Sequence, residues 1–216
     1  MKHAIALMLM AATMLASCTQ NGKEVPAAQS EQETSCQAQT VTDLMMSRRS
    51  IRQYKDQTLD RETLREILKC GINAPNGQNR QAYEVRVIDN PTLLDEMTRV
   101  VVAKNPKVAE RPGFKNIFVN APCVVFIARD MSYDMAQVDC GLLGENIILA
   151  AWEKGIGSCC LGGPVRMLKD TPEAAPYLER LGFSEGYELL YCIALGYPDE
   201  TPDAKPRKED KIKFID

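Results

Sequence analysis

Two apolar runs of strand length constrain the fold of this chain more than any other feature of its sequence. They are PCVVFIA, residues 122–128, and YELLYCIALG, residues 187–196. Successive side chains of a strand point to opposite sides of its sheet, so a strand that is apolar at nearly every position is buried on both faces. We therefore expect a sheet that is covered on both sides.

Helical patterns surround these two strands. Asp60 can cap a helix that runs to about Ala74, with an apolar stripe at 3.6-residue spacing. A strand over residues 83–88 and a second helix over about residues 91–102 follow it. Residues 135–154 are apolar almost all round, which is typical of a core helix or a subunit interface. The pattern predicts an α+β domain with a small mixed or antiparallel central sheet surrounded by helices. The stripe of the first helix consists of Leu64, Ile67, Leu68 and Ile72.

Two segments do not fit a regular element. Residues 103–120 lack periodicity and contain Pro106, Pro112 and Gly113, which indicates a mobile cover. Residues 199–216 are charged and rich in proline, and they close with the strand-like IKFI at 212–215. A strand that follows such a long linker can pair with another chain.

The N-terminal residues have the features of an export signal. Lys2 and His3 precede an apolar run over residues 4–15, which is too short to span a bilayer and of the right length for a signal peptide. The run ends in LASC, which resembles a bacterial lipobox, although an ordinary cleavable signal is the alternative. We therefore predict a lipoprotein signal peptide over residues 1–17, and an exported protein that is lipid-anchored through Cys18 to the bacterial cell envelope, on the periplasmic or outer-membrane side.

The next segment separates this anchor from the domain. Residues 18–40 contain no aromatic residue, leucine or isoleucine, so they cannot bury enough apolar surface to offset the entropy lost on ordering. We interpret them as a flexible tether. The domain itself then comprises residues 41–216.

The charge pattern points to a small anionic ligand. The chain has a formal net charge of −3 at pH 7, which argues against a nucleic-acid partner because such a protein presents a basic face. The segment RRSIRQY, residues 48–54, nevertheless places three arginines within five residues. Like-charged guanidinium groups repel unless they share an anion, so we expect one to bind here.

Histidine and cysteine usage limit the chemistry. The single histidine is His3, within the predicted signal, so the mature protein has no histidine for a catalytic triad, an HExxH zinc site or a haem. A cofactor is therefore expected to supply the chemistry. Eight cysteines form no CxxC pair. Cys123, Cys140 and Cys192 lie in apolar segments and are expected to be buried; a redox role for the pair at 159–160 stays open, although strand alternation would separate its thiols.

Four segments in order resemble the FMN-dependent nitroreductase family over about residues 43–214. The family implies a homodimer with a flavin in each of two interface clefts and with an exchanged C-terminal segment. No metal is implied. The segments are RRSIRQY at 48–54, APNGQNRQAYEV at 74–85, GLLGENIILAAWEKGIGSCCLGGP at 141–164 and ALGYPDETPDAKPRK at 194–208.

The resemblance implies a role for particular residues. In the first segment, Arg48 and Ser50 would reach the ribityl phosphate, Arg52 would face the pyrimidine edge of the flavin, and Arg49 would make contact through its backbone. Pro75, Asn76 and Gly77 would cross to the partner's flavin, with Asn79 beside the ring or ribityl chain. Backbone N–H groups of Cys160, Leu161, Gly162 and Gly163 would lie near flavin N5 and O4, helped by Gly155 and Gly157, and Lys205 and Arg207, with Lys208 as a substitute, would close on the phosphate.

The implied activity is that of an FMN-dependent oxidoreductase. A donor would reduce the flavin and leave, and an electron-poor acceptor such as a nitroaromatic or a quinone would then be reduced in the same cleft. No side chain is implied as an essential acid or base. Discrimination between acceptors is expected from residues 103–120, with Phe114 and Phe118 as candidate lid contacts or, equally, as core residues. The alternatives are a related flavin reductase or dehalogenase and an exported flavin-binding protein without turnover.

The predicted location conflicts with the usual electron donor. Relatives of this family take hydride from NAD(P)H, which is a cytoplasmic metabolite. An exported lipoprotein would not meet it, so its donor would be a membrane quinol or a redox protein. We expect either that alternative donor or a chain that is not exported.

Overall fold

A four-stranded antiparallel sheet organises residues 40–215, the part of the chain that this computed structural model describes. The strand order is β1-β2-β4-β3, so the two apolar runs form the central pair, as predicted. Six consecutive residues of β2 are buried, which confirms that both faces of this strand are covered. The strands are β1 (Tyr83–Ile88), β2 (Cys123–Asp130), β3 (Gly157–Leu161) and β4 (Tyr187–Gly196).

Residues 40–215 contain six α-helices, which surround the sheet or pack on one another. The long helix α4 and the capped helix α2 agree with the sequence prediction, and the Asp60 side chain accepts a hydrogen bond from Thr63 N (2.9 Å) at the start of α2. The predicted stripe of α2 is too wide, because Ile72 is exposed and Gly71 packs against Ile147 instead. The helices are α1 (Val41–Ser47), α2 (Arg61–Ile72), α3 (Pro91–Lys104), α4 (Ala136–Glu153), α5 (Gly163–Lys169) and α6 (Ala175–Arg180).

Each face of the sheet has its own core. Helices α2 and α4 pack on one face, where Ile67, Leu143 and Ile147 meet Ile193 of the sheet. The residues of α3 and α5 pack on the other face, against Phe126 and Cys192, which are partners across β2 and β4. The sheet is therefore the middle layer of three.

Residues 111–121 are held more closely than the expected mobile cover. Phe118 is fully buried and packs edge-on against Phe126, with ring centroids 5.7 Å apart, so it is a core residue and not part of a lid. Asn116 Oδ1 accepts hydrogen bonds from Phe118 N and Asn120 N, both at 3.0 Å. The prediction of a loose cover is therefore wrong for this part of the chain, because side-chain amides replace the backbone pairing that an irregular segment lacks.

The C-terminal tail forms no strand within the described residues. A short 3₁₀ turn spans Glu209–Lys211, and Ile212, Phe214 and Ile215 are 71%, 93% and 89% exposed. The strand predicted over residues 212–215 is thus not formed within one chain. Pairing with a second chain stays a prediction.

The predicted cysteine environments are confirmed. Cys123, Cys140 and Cys192 are buried, and burial raises the pKa of the Cys123 thiol to about 12. Cys159 is buried on one side of β3, whereas Cys160 is exposed on the other. Strand alternation therefore keeps these two thiols apart.

The predicted signal peptide and residues 18–39 of the predicted tether lie outside the described residues. Thr40, the last tether residue, caps α1 through a reciprocal capping box with Asp43. Within residues 40–215, none of the helices has the length and apolar character needed to cross a bilayer.

Candidate functional site

The first arginine segment is fixed to the edge of the sheet by backbone hydrogen bonds. Ser50 forms an isolated parallel bridge with Ser158 of β3, in which Ile51 N donates to Ser158 O at 2.9 Å. The Ile51 side chain is buried, 1% exposed. Because side chains alternate in extended chain, burial of Ile51 turns Ser50 and Arg52 away from the core.

The segment after β4 is fixed to the same stretch of chain. Lys55 N donates to Tyr197 O at 2.9 Å, and Asp199 N donates to Gln53 O at 3.0 Å. The Glu200 carboxylate also accepts hydrogen bonds from the backbone N–H groups of Arg52 and Gln53. These contacts bring the basic tail, more than 140 residues further along the chain, next to the first arginines.

The two segments together form a basic cleft, which we call the phosphate cleft. It encloses about 110 Å³. A cleft of this size can hold a small anionic group such as a phosphate. All six predicted residues of the first and last segments line it, together with an acidic residue and a proline that the sequence did not suggest. The lining residues are Arg48, Arg49, Ser50, Arg52, Pro202, Asp203, Lys205 and Arg207.

The phosphate cleft carries an excess of positive charge, because five cations and one carboxylate, that of Asp203, line it. Within residues 40–215, none of these five cations takes part in an ion pair. The guanidinium groups of Arg49, Arg52 and Arg207 instead donate to backbone carbonyl groups. Guanidinium groups bind phosphate oxygens through short, charge-assisted hydrogen bonds. A phosphate monoester therefore fits this cleft, whereas the predicted alternative Lys208 does not line it.

The second predicted segment lies elsewhere on the chain. Pro75, Asn76, Gly77 and Asn79 do not line the phosphate cleft. Their loop is strained: Gln78, Asn79 and Gln81 have φ values of +57°, +54° and +50°. Left-handed backbone is uncommon for residues other than glycine and is concentrated at functional sites.

A buried carboxylate that sequence reasoning missed holds this loop. Asp139 of α4 is only 3% exposed, and its Oδ1 accepts a hydrogen bond from Gly77 N at 3.1 Å. Its Oδ2 is buried without a hydrogen-bond partner among the described residues. The Tyr133 hydroxyl lies where a Cβ of Gly77 would be placed, so a larger residue at position 77 would require the Tyr133 side chain to move. An aspartate among the apolar residues of a predicted core helix was the signal that could have identified it.

The predicted flavin contacts of the third segment, Cys160 to Gly163, lie at the end of β3 and the start of α5 and do not line the phosphate cleft. The space next to Gly162 and Gly163 is open, which leaves their backbone accessible. Gly155 and Gly157 have structural roles instead: Gly155 has φ +70° after α4, and a Cβ on Gly157 would meet Ile51. Although Cys160 as a residue is exposed, partial desolvation of its thiol raises the pKa of that group, and the charge of Arg48 opposes the shift.

A second cleft adjoins the phosphate cleft, and we call it the lateral cleft. It encloses about 500 Å³ and shares Arg52 with the phosphate cleft. Residues 111–120 form one wall, with Arg111, Lys115 and Asn120, and the chain after β4 contributes Asp199 and Glu200. The sequence pattern suggested that residues 103–120 discriminate between electron acceptors, but it did not identify these side chains.

We predict that Asp139→Ala loosens the strained loop. Loss of the carboxylate leaves the Gly77 N–H without its acceptor, and a hydrogen bond to a charged group contributes about 1.5–3 kcal/mol. Amide exchange in residues 76–81 should therefore accelerate about tenfold or more, as measured by hydrogen–deuterium exchange and mass spectrometry. Asp139→Asn retains an acceptor oxygen and should have a smaller effect. The matched control is Asp134→Ala at an exposed position just before α4, and equal exchange in Asp139→Ala and the wild type would contradict the assignment.

Comparison with known proteins identifies the fold. Residues 45–197 match the nitroreductase family. A protein of Archaeoglobus fulgidus, named as a candidate NADH dehydrogenase or NAD(P)H nitroreductase, is 30% identical over 165 residues, which cover 74% of this chain and 86% of the relative.

Two solved structures are similar over most of this chain. A nitroreductase from Desulfitobacterium hafniense with bound FMN has 31% identity and a TM-score of 0.72, covering 81% of this chain and 97% of that one. A nitroreductase from Bacteroides fragilis with bound FMN has 27% identity and a TM-score of 0.71, covering 81% and 98%. With its antiparallel sheet, enclosing helices and basic cleft, this chain belongs to the nitroreductase family.

Proposed function

We propose that this protein uses FMN to pass electrons from a reduced donor to an electron-poor acceptor, such as a nitroaromatic or a quinone, in a ping-pong reaction. Its class, an FMN-dependent oxidoreductase, follows from its family. The acceptor, the donor and the kinetic mechanism are our proposal. The observation that supports it is the phosphate cleft, where five cations that form no ion pair within residues 40–215 line one small space together with Asp203.

The residues of the phosphate cleft have distinct parts in this proposal. Arg48, Ser50, Lys205 and Arg207 would hold the FMN phosphate, which carries close to two negative charges. Bound FMN would supply the two-electron redox chemistry that the side chains themselves do not offer. Arg52 lines both clefts, so its cation can favour the negatively charged, reduced form of a flavin. The donor and the acceptor would use the same cleft in turn.

We further propose that the enzyme is a homodimer. Ile212, Phe214 and Ile215 of the tail are exposed, and so are Met135, Val138 and Leu142 along and just before α4. Apolar surface of this kind is typical of a subunit interface. A second chain would cover it, pair with the tail and bring the strained loop with Asn79 to the partner's cofactor.

We predict that the phosphate cleft distinguishes FMN from riboflavin. Lys205→Gln and Arg207→Gln each remove a cation from the cleft, and a charge-assisted hydrogen bond contributes about 1.5–3 kcal/mol. Each variant should therefore bind FMN about ten- to a hundredfold more weakly, with a shallower salt dependence, when apoprotein is titrated and flavin fluorescence is followed. Riboflavin lacks the phosphate, so its affinity should be unchanged.

Lys208→Gln is the matched control for this titration. This lysine neighbours Arg207 in sequence but does not line the cleft, so its substitution should leave FMN affinity within about twofold. An equal loss of FMN and riboflavin affinity in Arg207→Gln would show that the tail stabilises the fold and does not bind phosphate.

The reaction itself is tested by anaerobic turnover. Purified holoprotein should be yellow, should bleach with dithionite, and should regain its colour on addition of a nitroaromatic or a quinone. Initial rates at several fixed donor concentrations should give parallel double-reciprocal plots, as a ping-pong reaction requires. NADH, NADPH and a quinol, each tried as donor, would identify the reductant. A bleached protein that no acceptor reoxidises would be a flavin carrier and not an enzyme.

We also propose that the protein is exported and lipid-anchored through Cys18, because a short apolar run precedes the LASC sequence. An exported enzyme would require a donor other than NAD(P)H, such as a quinol or a redox protein. Fractionation of expressing cells should find the wild type with membranes and Cys18→Ser in a soluble fraction or unprocessed. Equal distribution of the two proteins, with the signal peptide removed from both, would contradict the anchor.

A further inference from the structure

We propose that the lateral cleft binds an anionic group of the electron acceptor, a carboxylate above all, through Arg111 and Lys115. The enzyme would then prefer acceptors with a negative charge beside the reducible group. This inference rests on the proposed function and adds the chemical class of the acceptor.

The position and size of the lateral cleft suit a substrate. Arg52 lines both clefts, so a ligand in the lateral cleft lies next to the cofactor's phosphate site. The lateral cleft encloses about 500 Å³, against about 110 Å³ for the phosphate cleft. Small-molecule sites typically have volumes of about 300–1,000 Å³. A small aromatic acid therefore fits the larger cleft.

Arg111 is oriented by neutral groups. Its Nη2 donates to Asn116 O at 2.7 Å and to Asn120 Oδ1 at 3.3 Å, and its guanidinium carbon lies 5.1 Å from the centre of the Phe114 ring. A guanidinium has five N–H donors, so these two bonds leave donors for a ligand. The side chain is thus held in place without being neutralised.

The turn that carries these cations is itself tied together by Asn120. Asn120 Oδ1 accepts hydrogen bonds from Lys115 N at 2.8 Å and Asn116 N at 3.2 Å, and Asn120 Nδ2 donates to Gly113 O at 2.7 Å. Val119 and Asn120 have φ values of +52° and +67°. For a β-branched residue such as Val119 this conformation is a true outlier, and strain of this kind is concentrated at functional sites.

The charges around the lateral cleft favour one negative group. Neither Arg111 nor Lys115 takes part in an ion pair within residues 40–215. The same cleft is also lined by Glu200, which accepts hydrogen bonds from the backbone N–H groups of Arg52 and Gln53 that compensate its charge, and by Asp199, a second carboxylate. Two carboxylates would repel a polyanion, so a monoanion is the better match.

The test compares two acceptors that differ by one charge. 4-Nitrobenzoate and 4-nitrobenzamide have the same nitro group and nearly the same shape. Wild-type holoenzyme should have the lower KM for the benzoate. Arg111→Gln and Lys115→Gln should each lower kcat/KM for the benzoate about tenfold, mainly through KM, and leave the benzamide within about twofold.

A binding measurement separates recognition from turnover. Benzoate and benzamide lack the nitro group and are not reduced, so calorimetry on oxidised holoenzyme measures their affinities directly. Benzoate should bind more tightly than benzamide, and Arg111→Gln should abolish the difference. Lys107→Gln, at a lysine that does not line the cleft, is the matched control and should keep it. If Arg111→Gln fails to fold, Lys115→Gln decides, because its substitution leaves the backbone bonds of the turn intact.

Several outcomes would overturn the proposal. If Arg111→Gln lowered the affinities for benzoate and benzamide equally, Arg111 would act on the fold. If it shifted the flavin reduction potential and left benzoate affinity unchanged, Arg111 would act on the cofactor. A raised KM for NADPH alone would assign the cations to the donor. A protein that binds no FMN would instead contradict the proposed function. Calorimetry could still compare benzoate with benzamide as ligands of the lateral cleft.

Discussion

The site depends on a few backbone hydrogen bonds that fix residues 50–55 between β3 and the chain that leaves β4. Ile51 is bound to Ser158, Lys55 to Tyr197, and Asp199 to Gln53. These bonds are insensitive to side-chain identity, so they can hold a segment whose own charges repel one another. Without them, the arginines near the start of the domain and the basic tail at its end would have no reason to meet.

Two ordered loops in this structure contain strained backbone. Left-handed residues other than glycine occur in two loops, at Gln78, Asn79 and Gln81 and at Val119 and Asn120. In both loops a side chain supplies hydrogen bonds that hold the strained backbone. Asp139 of α4 does so for the first loop, and Asn120 does so for the second loop, to which it belongs. Such loops persist only because the packed sheet and helices fix their ends. The rigid three-layer core and the strained loops are thus parts of one arrangement.

Prediction from sequence succeeded where the pattern is local. Charge density marked Arg48 and Arg52, and apolar runs marked β2 and β4. It failed where the partner lies far along the chain: Asp139 interacts with Gly77 across 62 positions, and Glu200 with Gln53 across 147. It also failed for residues 111–121, since an irregular sequence does not reveal that Asn116 and Asn120 replace the missing backbone bonds. The strand predicted for residues 212–215 is not formed within the described chain, and its pairing with a second chain stays a prediction.

The sequence by itself determined which segments are buried, that the chemistry requires a cofactor, and that one basic cluster awaits a small anion. These properties follow from hydrophobic periodicity, from residue types that are absent and from charge repulsion, all of which act over a few residues. Tertiary structure alone decided that Asp203 shares the phosphate cleft with the predicted cations, which glycines serve the fold, and that a second cleft opens beside Arg52. Those outcomes depend on strand order and on contacts between residues far apart in the chain, and no local pattern encodes them.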